Sequence, residues 1–270
     1  MDLGFDGAAV VVNGGSKGMG RAAAEAMAAE GARVALLARG AEALADTAEA
    51  LRALGSPDVV EIPTDLTDRG RVDAAFAALG ERWGELNVLV NAAGPVDVGV
   101  GRRFDELDDT EWLSTFDIGT LSAARCARAA LPLLRKARWA RIVNVSAHSV
   151  RRQTQGLVAY TAAKAALTSF SKNLSLTLAS DGILVNTVSP GSFLSQGLKN
   201  YILRLPSERQ VDFDDLHAVM GIIAEDFGHP AQLGRVALPS EIGPVIAFVA
   251  SRANTYMTGA DINVDGGSDF

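Results

Sequence analysis

Short apolar runs alternate with longer alanine-rich stretches along the whole chain. The runs AAVVVN (8–13), ARVALLAR (32–39), DVVEIPTDL (58–66), LNVLVNAAG (86–94), ARIVNVS (140–146), ILVNTVSPG (183–191) and ADINVDGG (260–267) predict strands. Between them, helices are predicted over 20–31, 41–54, 71–84, 110–136, 158–180 and 239–251, where apolar residues recur on one face and glycines punctuate several ends. Strands that are apolar throughout are buried on both faces, which means a parallel sheet covered by helices on either side. Right-handed crossovers then give an α/β fold with a doubly wound parallel sheet of the Rossmann type, in a single domain spanning 1–270. One segment breaks the alternation. Residues 192–238 follow a strand's C-terminal end, the end where ligands bind in such sheets, and are expected to form a lid over a substrate.

Composition narrows the function. The 270 residues are 48% hydrophobic, enough for one sizeable core, and the net charge of −7 argues against nucleic acid as a partner. A single cysteine, Cys126, rules out an internal disulfide framework. The N-terminal MDLGFDGAAVVV lacks the basic region of a secretion signal, and no apolar run is long enough to span a membrane. The expected location is the cytoplasm.

The first predicted strand runs into NGGSKGMG (13–20). Gly14 permits the turn, Gly18 lets the backbone approach a pyrophosphate, and Gly20 lets helix and strand pack closely, so that the helix N-terminal amides face the phosphates. The loop residues Ser16, Lys17 and Met19 border the same ligand. An NAD site usually carries an acid at the end of the second strand to hold the ribose 2′-hydroxyl. Here that end reads LLARG, with Ala38 followed by Arg39. Lys17 and Arg39 together, with no acid, suit a 2′-phosphate and so NADP(H). Asp65 and Leu66 follow the third strand, where Asp65 either accepts from the adenine amino group or caps the next helix.

These residues resemble the classical short-chain dehydrogenase/reductase family over the whole chain. Gly14-x3-Gly18-x-Gly20 is similar to the family's cofactor loop. NAAG (91–94) is similar to its Asn-Asn-Ala-Gly motif, with Ala92 for the second Asn, and Tyr160-x3-Lys164 matches its catalytic pair. NTVSPG (186–191) and VDGG (264–267) match later signatures. The resemblance implies cofactor contacts at Asn91, Ala92, Gly94, Tyr160, Lys164, Pro190 and Gly191. It also implies a homotetramer packed through the helices at 110–136 and 158–180. Tyr160 and Lys164, four apart on a helix, share a face. A nearby ammonium and the positive nicotinamide favour the phenolate, so Tyr160 is the expected general acid in reduction and general base in oxidation.

Two positions depart from the family. Its serine, about 13 residues before the tyrosine, falls on Ala147, within VNVSAHSV (143–150). Side chains alternate faces along a strand, so Ser149 is the first candidate to replace it, then Ser146, then neither, with His148 a further hydrogen-bond donor to consider. The family's asparagine falls on Asp117, within FDIGT. That carboxylate either holds water and pairs with Lys164 or is a tolerated polar swap. Arg102, Arg103, Arg151 and Arg152 are expected near the substrate mouth, as surface charges or as contacts for an anionic group. The expected activity is hydride exchange between NADP(H) and a small-molecule carbonyl or alcohol. The alternative is a nucleotide-binding regulator of the same fold that lost catalysis with the serine.

Overall fold

A computed structural model describes residues 2–95 and 102–268. Seven strands form one parallel sheet: β1 (Ala9–Asn13), β2 (Arg33–Ala38), β3 (Val59–Pro63), β4 (Val88–Asn91), β5 (Ala140–Val145), β6 (Ile183–Pro190) and β7 (Asp261–Val264). Their order is β3-β2-β1-β4-β5-β6-β7. The period-two geometry of a strand sorts the core into two layers. Val10 and Val12 face one side with Leu36, Val90, Val143 and Val145. Ala9 and Val11 face the other with Leu37, Leu89 and Ile142.

The first layer is covered by α1 (Gly18–Ala28), α2 (Ala41–Ala53) and α9 (Pro239–Ala250). Alanines bring α1 and α9 so close that a Cβ on Gly243 would stand 2.5 Å from the Ala22 carbonyl carbon. The second layer is covered by α3 (Arg69–Trp83), α5 (Ser122–Leu134) and α6 (Val158–Leu178). The long helix expected over 110–136 is interrupted: α4 (Asp109–Phe116) passes through a π-helical turn at Asp117–Leu121 before α5 begins. Strand β4 stops at Asn91, which leaves the rest of NAAG in a loop.

The strand order reverses between β1 and β4, so the loops leaving them border the crevice where such folds bind ligands. Residues 192–238 carry α7 (Gln196–Leu203) and α8 (Leu216–Phe227). These pack around a small core of their own, including Ile202, Val219, Met220, Ile222 and Ile223. A lone bridge between Phe193 and Ala237 closes the segment's two ends.

Candidate active site

The glycine loop is built for close approach. Gly14 has φ +74°, and a Cβ there would lie 2.7 Å from the Ala93 nitrogen, so the β1 and β4 loops touch across the crevice. A Cβ on Gly20 would lie 2.4 Å from the Gly14 carbonyl oxygen. Gly18 differs: its φ is +55°, and its missing side chain would point into space, with the Phe193 ring 3.8 Å away as nearest neighbour. Helix α1 starts after Lys17 with no side-chain cap and no acid in its first turn, which leaves its N-terminal amides free for an anion. Lys17 and Arg39 are exposed, and neither forms an ion pair among the described residues. Two exposed cations outside any ion pair among the described residues, with bare helix amides, fit a phosphorylated dinucleotide. Ser16 gives its carbonyl to the Thr47 hydroxyl at 3.2 Å, and Met19 packs on the core under α1. Asp65 does not cap α3. That role falls to Asp68, which accepts from the Arg71 amide at 3.1 Å. Asp65 instead accepts from the backbone and side chain of Thr67, and these bonds, with a contribution from the Arg39 charge, lower its pKa. Leu66 is buried in the core beside it.

Below the crevice, three asparagines stand in register at the ends of β1, β4 and β5. Asn13 donates to Asn91 at 2.6 Å, Asn91 to Asn144 at 2.7 Å, and Asn144 to the Ser171 hydroxyl of α6 at 2.8 Å. Asn91 thus spends its side chain cross-linking strands, and the sheet and α6 are fixed relative to each other at the level of the site.

Lys164 is 3% exposed, and its ammonium donates to the Val145 carbonyl at 2.7 Å, at the end of β5. A Cβ on Gly94 would lie 3.1 Å from the ammonium nitrogen, so a side chain there would press on the lysine head. The ammonium sits 6.0 Å from the centre of the Tyr160 ring. No described residue hydrogen-bonds the Tyr160 hydroxyl, which is left for a ligand. Burial pushes the Tyr160 phenol up to about 12 and the Lys164 ammonium down to about 8. Desolvation sets the direction of both shifts in the protein alone.

The segment after β5 distributes its groups unequally. The Ser146 hydroxyl meets the Lys164 carbonyl at 3.1 Å and Thr168 at 2.8 Å, on the packed side of α6. Ala147 is buried and extended. Ser149, 1% exposed, accepts from the Thr161 hydroxyl at 3.3 Å, which keeps its own hydrogen available for donation. The His148 Nδ1 faces the Pro190 carbonyl at 3.2 Å. Gly191 follows, where a Cβ would collide with the Asp265 backbone at 2.6 Å. Asp117 does not pair with Lys164. Its Oδ1 lies 2.6 Å from the Arg125 guanidinium, across the π-helical turn. That turn is pinned to α6 by Thr120, which donates to the Ala163 carbonyl at 2.7 Å.

Residues 14–269 match the family model described as enoyl-(acyl carrier protein) reductase. The chain is 32% identical over 266 residues to the rhamnolipids biosynthesis 3-oxoacyl-(acyl-carrier-protein) reductase of Pseudomonas aeruginosa, covering 97% of this chain and 96% of that one. It is 32% identical over 268 residues to the 3-oxoacyl-(acyl-carrier-protein) reductase of Escherichia coli, covering 98% of each. The chain belongs to the short-chain dehydrogenase/reductase family. Among solved structures, L-sorbose reductase from Gluconobacter frateurii, complexed with NADPH and L-sorbose, superposes with a TM-score of 0.89 at 29% identity over 100% of this chain and 99% of that one. The Pseudomonas aeruginosa RhlG/NADP active-site complex gives 0.82 at 31% identity, over 99% and 98%.

As a short-chain dehydrogenase/reductase, the chain is an oxidoreductase, and the regulator reading finds no support among these relatives. Within the family pattern its two departures have different surroundings. The carboxylate at Asp117 brings its own cation, Arg125, eight residues on. Ala147 has a hydroxyl on either side, one consumed by α6 and one with a hydrogen to spare. The four arginines expected at the mouth bind nearby protein groups: Arg102 reaches Glu111 and the Glu106 carbonyl, and Arg103 reaches Asp105. Arg151 reaches Asp261, and Arg152 reaches the Ser268 and Gly228 carbonyls. Sequence reasoning missed the asparagine ladder, although its signal was present: the strand motifs AAVVVN, LNVLVNAAG and ARIVNVS each carry an Asn toward the C-terminal end.

Proposed function

We propose that this oxidoreductase interconverts a carbonyl and a secondary alcohol with NADP(H), using Tyr160 as the proton donor and acceptor. The observation that carries this reading is the Tyr160 hydroxyl, unpartnered among the described residues and grouped with the buried Lys164 ammonium. When bound, the nicotinamide supplies or receives the hydride. The loop from Gly14 through Ser16, Gly18 and Met19 to Gly20 holds the pyrophosphate, and Lys17 and Arg39 hold the 2′-phosphate. Asp65 and Leu66 border the adenine. Asn91, Ala92, Gly94, Pro190 and Gly191 border the nicotinamide half, with Lys164 on its ribose.

Tyr160 gives its proton to the carbonyl oxygen as negative charge develops there. A tyrosine near 12 is a weak acid, and the positive charge of Lys164 beside it eases the transfer. Ser149 donates a second hydrogen bond to the same oxygen, in place of the serine absent at 147. Asp117, steadied by Arg125, holds water with its other oxygen and passes protons toward Lys164. The segment 192–238 covers the substrate. Its mixture of Phe, Leu, Ile, Tyr and Met with charged residues suits a bulky, partly apolar carbonyl compound. The enzyme is a homotetramer in the cytoplasm. Leu113, Phe116, Leu121 and Leu176 stand exposed on the helices that would pack between subunits, and no described helix is long and apolar enough to cross a membrane.

The test is NADPH consumption against a panel spanning 3-oxoacyl thioesters, keto sugars and bulky apolar ketones, with the alcohol identified by mass. The reading predicts turnover of at least one bulky, partly apolar member. Tight NADPH binding with no alcohol formed from any member would reject it.

A further inference from the structure

His148 and His229 are 81 residues apart in sequence and meet in the interior, each less than a tenth exposed. His148 Nε2 lies 3.3 Å from His229 Nδ1, and the rings meet edge to face with centres 5.2 Å apart. The outer nitrogens reach backbone on either side: His148 Nδ1 faces the Pro190 carbonyl, and His229 Nε2 the Gln153 carbonyl at 3.3 Å. His148 adjoins Ser149 and Ala147, and His229 follows the end of α8 in the covering segment. A continuous line of contacts therefore runs from that segment through the catalytic loop to the end of β6.

That line sits where the covering segment is fastened. The segment has its own core, separate from the two layers on the sheet, so its position depends on its attachments. One is its pair of chain ends, drawn together by the Phe193–Ala237 bridge beside the glycine loop, and a second is Leu233, whose amide donates to the Gly266 carbonyl at 3.1 Å. A third is the C-terminal end of α8, whose last carbonyls are taken by the catalytic loop, residues 146–154: Thr154 donates to the Phe227 carbonyl at 3.0 Å, and Arg152 to that of Gly228 at 3.3 Å. Gly228, in the left-handed conformation, ends the helix and turns His229 inward. The two carbonyl contacts come from part-exposed side chains, whereas the histidine pair is buried between the two bodies.

We propose that His148 and His229 are positioning residues: a bridge that fastens the 192–238 segment to the catalytic loop and thereby sets how well the enzyme captures its carbonyl substrate. The substrate arm of this inference rests on the function proposed above, and the bridge itself does not. Loss of the bridge lowers the fraction of molecules with the segment seated. Apparent substrate affinity falls in proportion to that fraction, while molecules that do close react normally.

The experiment pairs hydrogen exchange on the ligand-free protein with kinetics, for His229→Phe, His229→Asn, His148→Phe and the double Phe variant. In His229→Phe, amides of 216–229 and 148–154 should exchange roughly tenfold faster with β4 and β5 unchanged, the signature of local rather than global opening. KM for the best carbonyl should rise about tenfold with kcat within about threefold, in line with a reduced competent fraction. NADPH affinity should not move. The Asn amide offers both a donor and an acceptor to His148 Nε2, so His229→Asn should recover most of both effects. The double variant should be no worse than the more affected single variant. If Phe does not fold, His229→Ala carries the same expectations. Unchanged exchange in both segments, effects that add in the double variant, or a KM unmoved by faster exchange would overturn the proposal. An exchange response in an enzyme that reduces no carbonyl would reject the proposed function and leave the bridge standing.

Discussion

Removal of the Arg39 guanidinium should cut the site's preference for NADPH over NADH about tenfold. Arg39 is exposed and forms no ion pair or hydrogen bond among the described residues, so Arg39→Ala leaves no buried charge behind. The fold should tolerate it, since surface changes of this kind stay within about 0.5 kcal/mol. Hydrogen bonds to a charged group contribute ~1.5–3 kcal/mol, and exposure puts this one at the lower end. A loss of ~1.5 kcal/mol weakens NADPH about tenfold. NADH has no 2′-phosphate, so its Kd should change less than about twofold. Lys17→Ala should act in the same direction, and both effects should shrink in high salt, which screens exposed charges beyond ~3 Å at 1 M. Fluorescence titration of each cofactor, with a melting curve for each variant, measures all of this. The reasoning fails if the unmodified protein binds NADH as tightly as NADPH. It fails equally if Arg39→Ala weakens both cofactors by one factor, since the guanidinium would then not be reading the 2′-phosphate.

Two further outcomes follow from the buried groups. Lys164 titrates near 8 in the folded protein against 10.5 when free, so below pH 8 the fold bears the cost of a buried charge, and stability is gained as pH rises from about 8 toward 10.5. Against Lys164→Met, the unmodified protein should therefore gain ~2 kcal/mol in urea unfolding between pH 7 and 9.5, at 1.36 kcal/mol per unit; a pH-independent difference would contradict the assigned burial cost. Ser149→Ala should lower kcat by ~10²-fold or more, the effect of losing one donor to a developing oxyanion, while Ser146→Ala should keep turnover and cost ~1 kcal/mol for its lost bonds to α6. The reverse pattern in kcat and melting temperature would exchange the roles of the two serines.

The sheet was readable because its strands are apolar on both faces, a pattern that leaves few alternatives to a covered parallel sheet. The helix ends moved by up to about one turn, as expected where caps rather than periodicity decide. The Tyr160–Lys164 pair was readable because an i, i+4 spacing places two side chains together without reference to the rest of the fold. The π-helical turn at Asp117–Leu121 was not, since FDIGT carries neither proline nor a glycine pair to mark an interruption. For the same reason Arg125 went unnoticed as the partner of Asp117: a π turn changes which residues face each other. The histidine bridge depends on a tertiary meeting between a loop after β5 and the end of α8, which no local pattern announces. Ser149 lay between these cases: strand alternation directed attention to it, but β5 ends at Val145, and the 3-10 turn at His148–Val150 decides where its hydroxyl sits.

The central claim, that Tyr160 moves the proton during carbonyl reduction, is tested most directly by Tyr160→Phe. The change removes one hydroxyl that no described residue bonds, so the fold and the cofactor site should remain as they are. With the best carbonyl found and NADPH saturating, single-turnover NADPH oxidation should fall at least ~10²-fold, the low end for general acid–base catalysis, with the NADPH Kd unchanged. Near-normal oxidation by Tyr160→Phe at the same Kd would contradict the account.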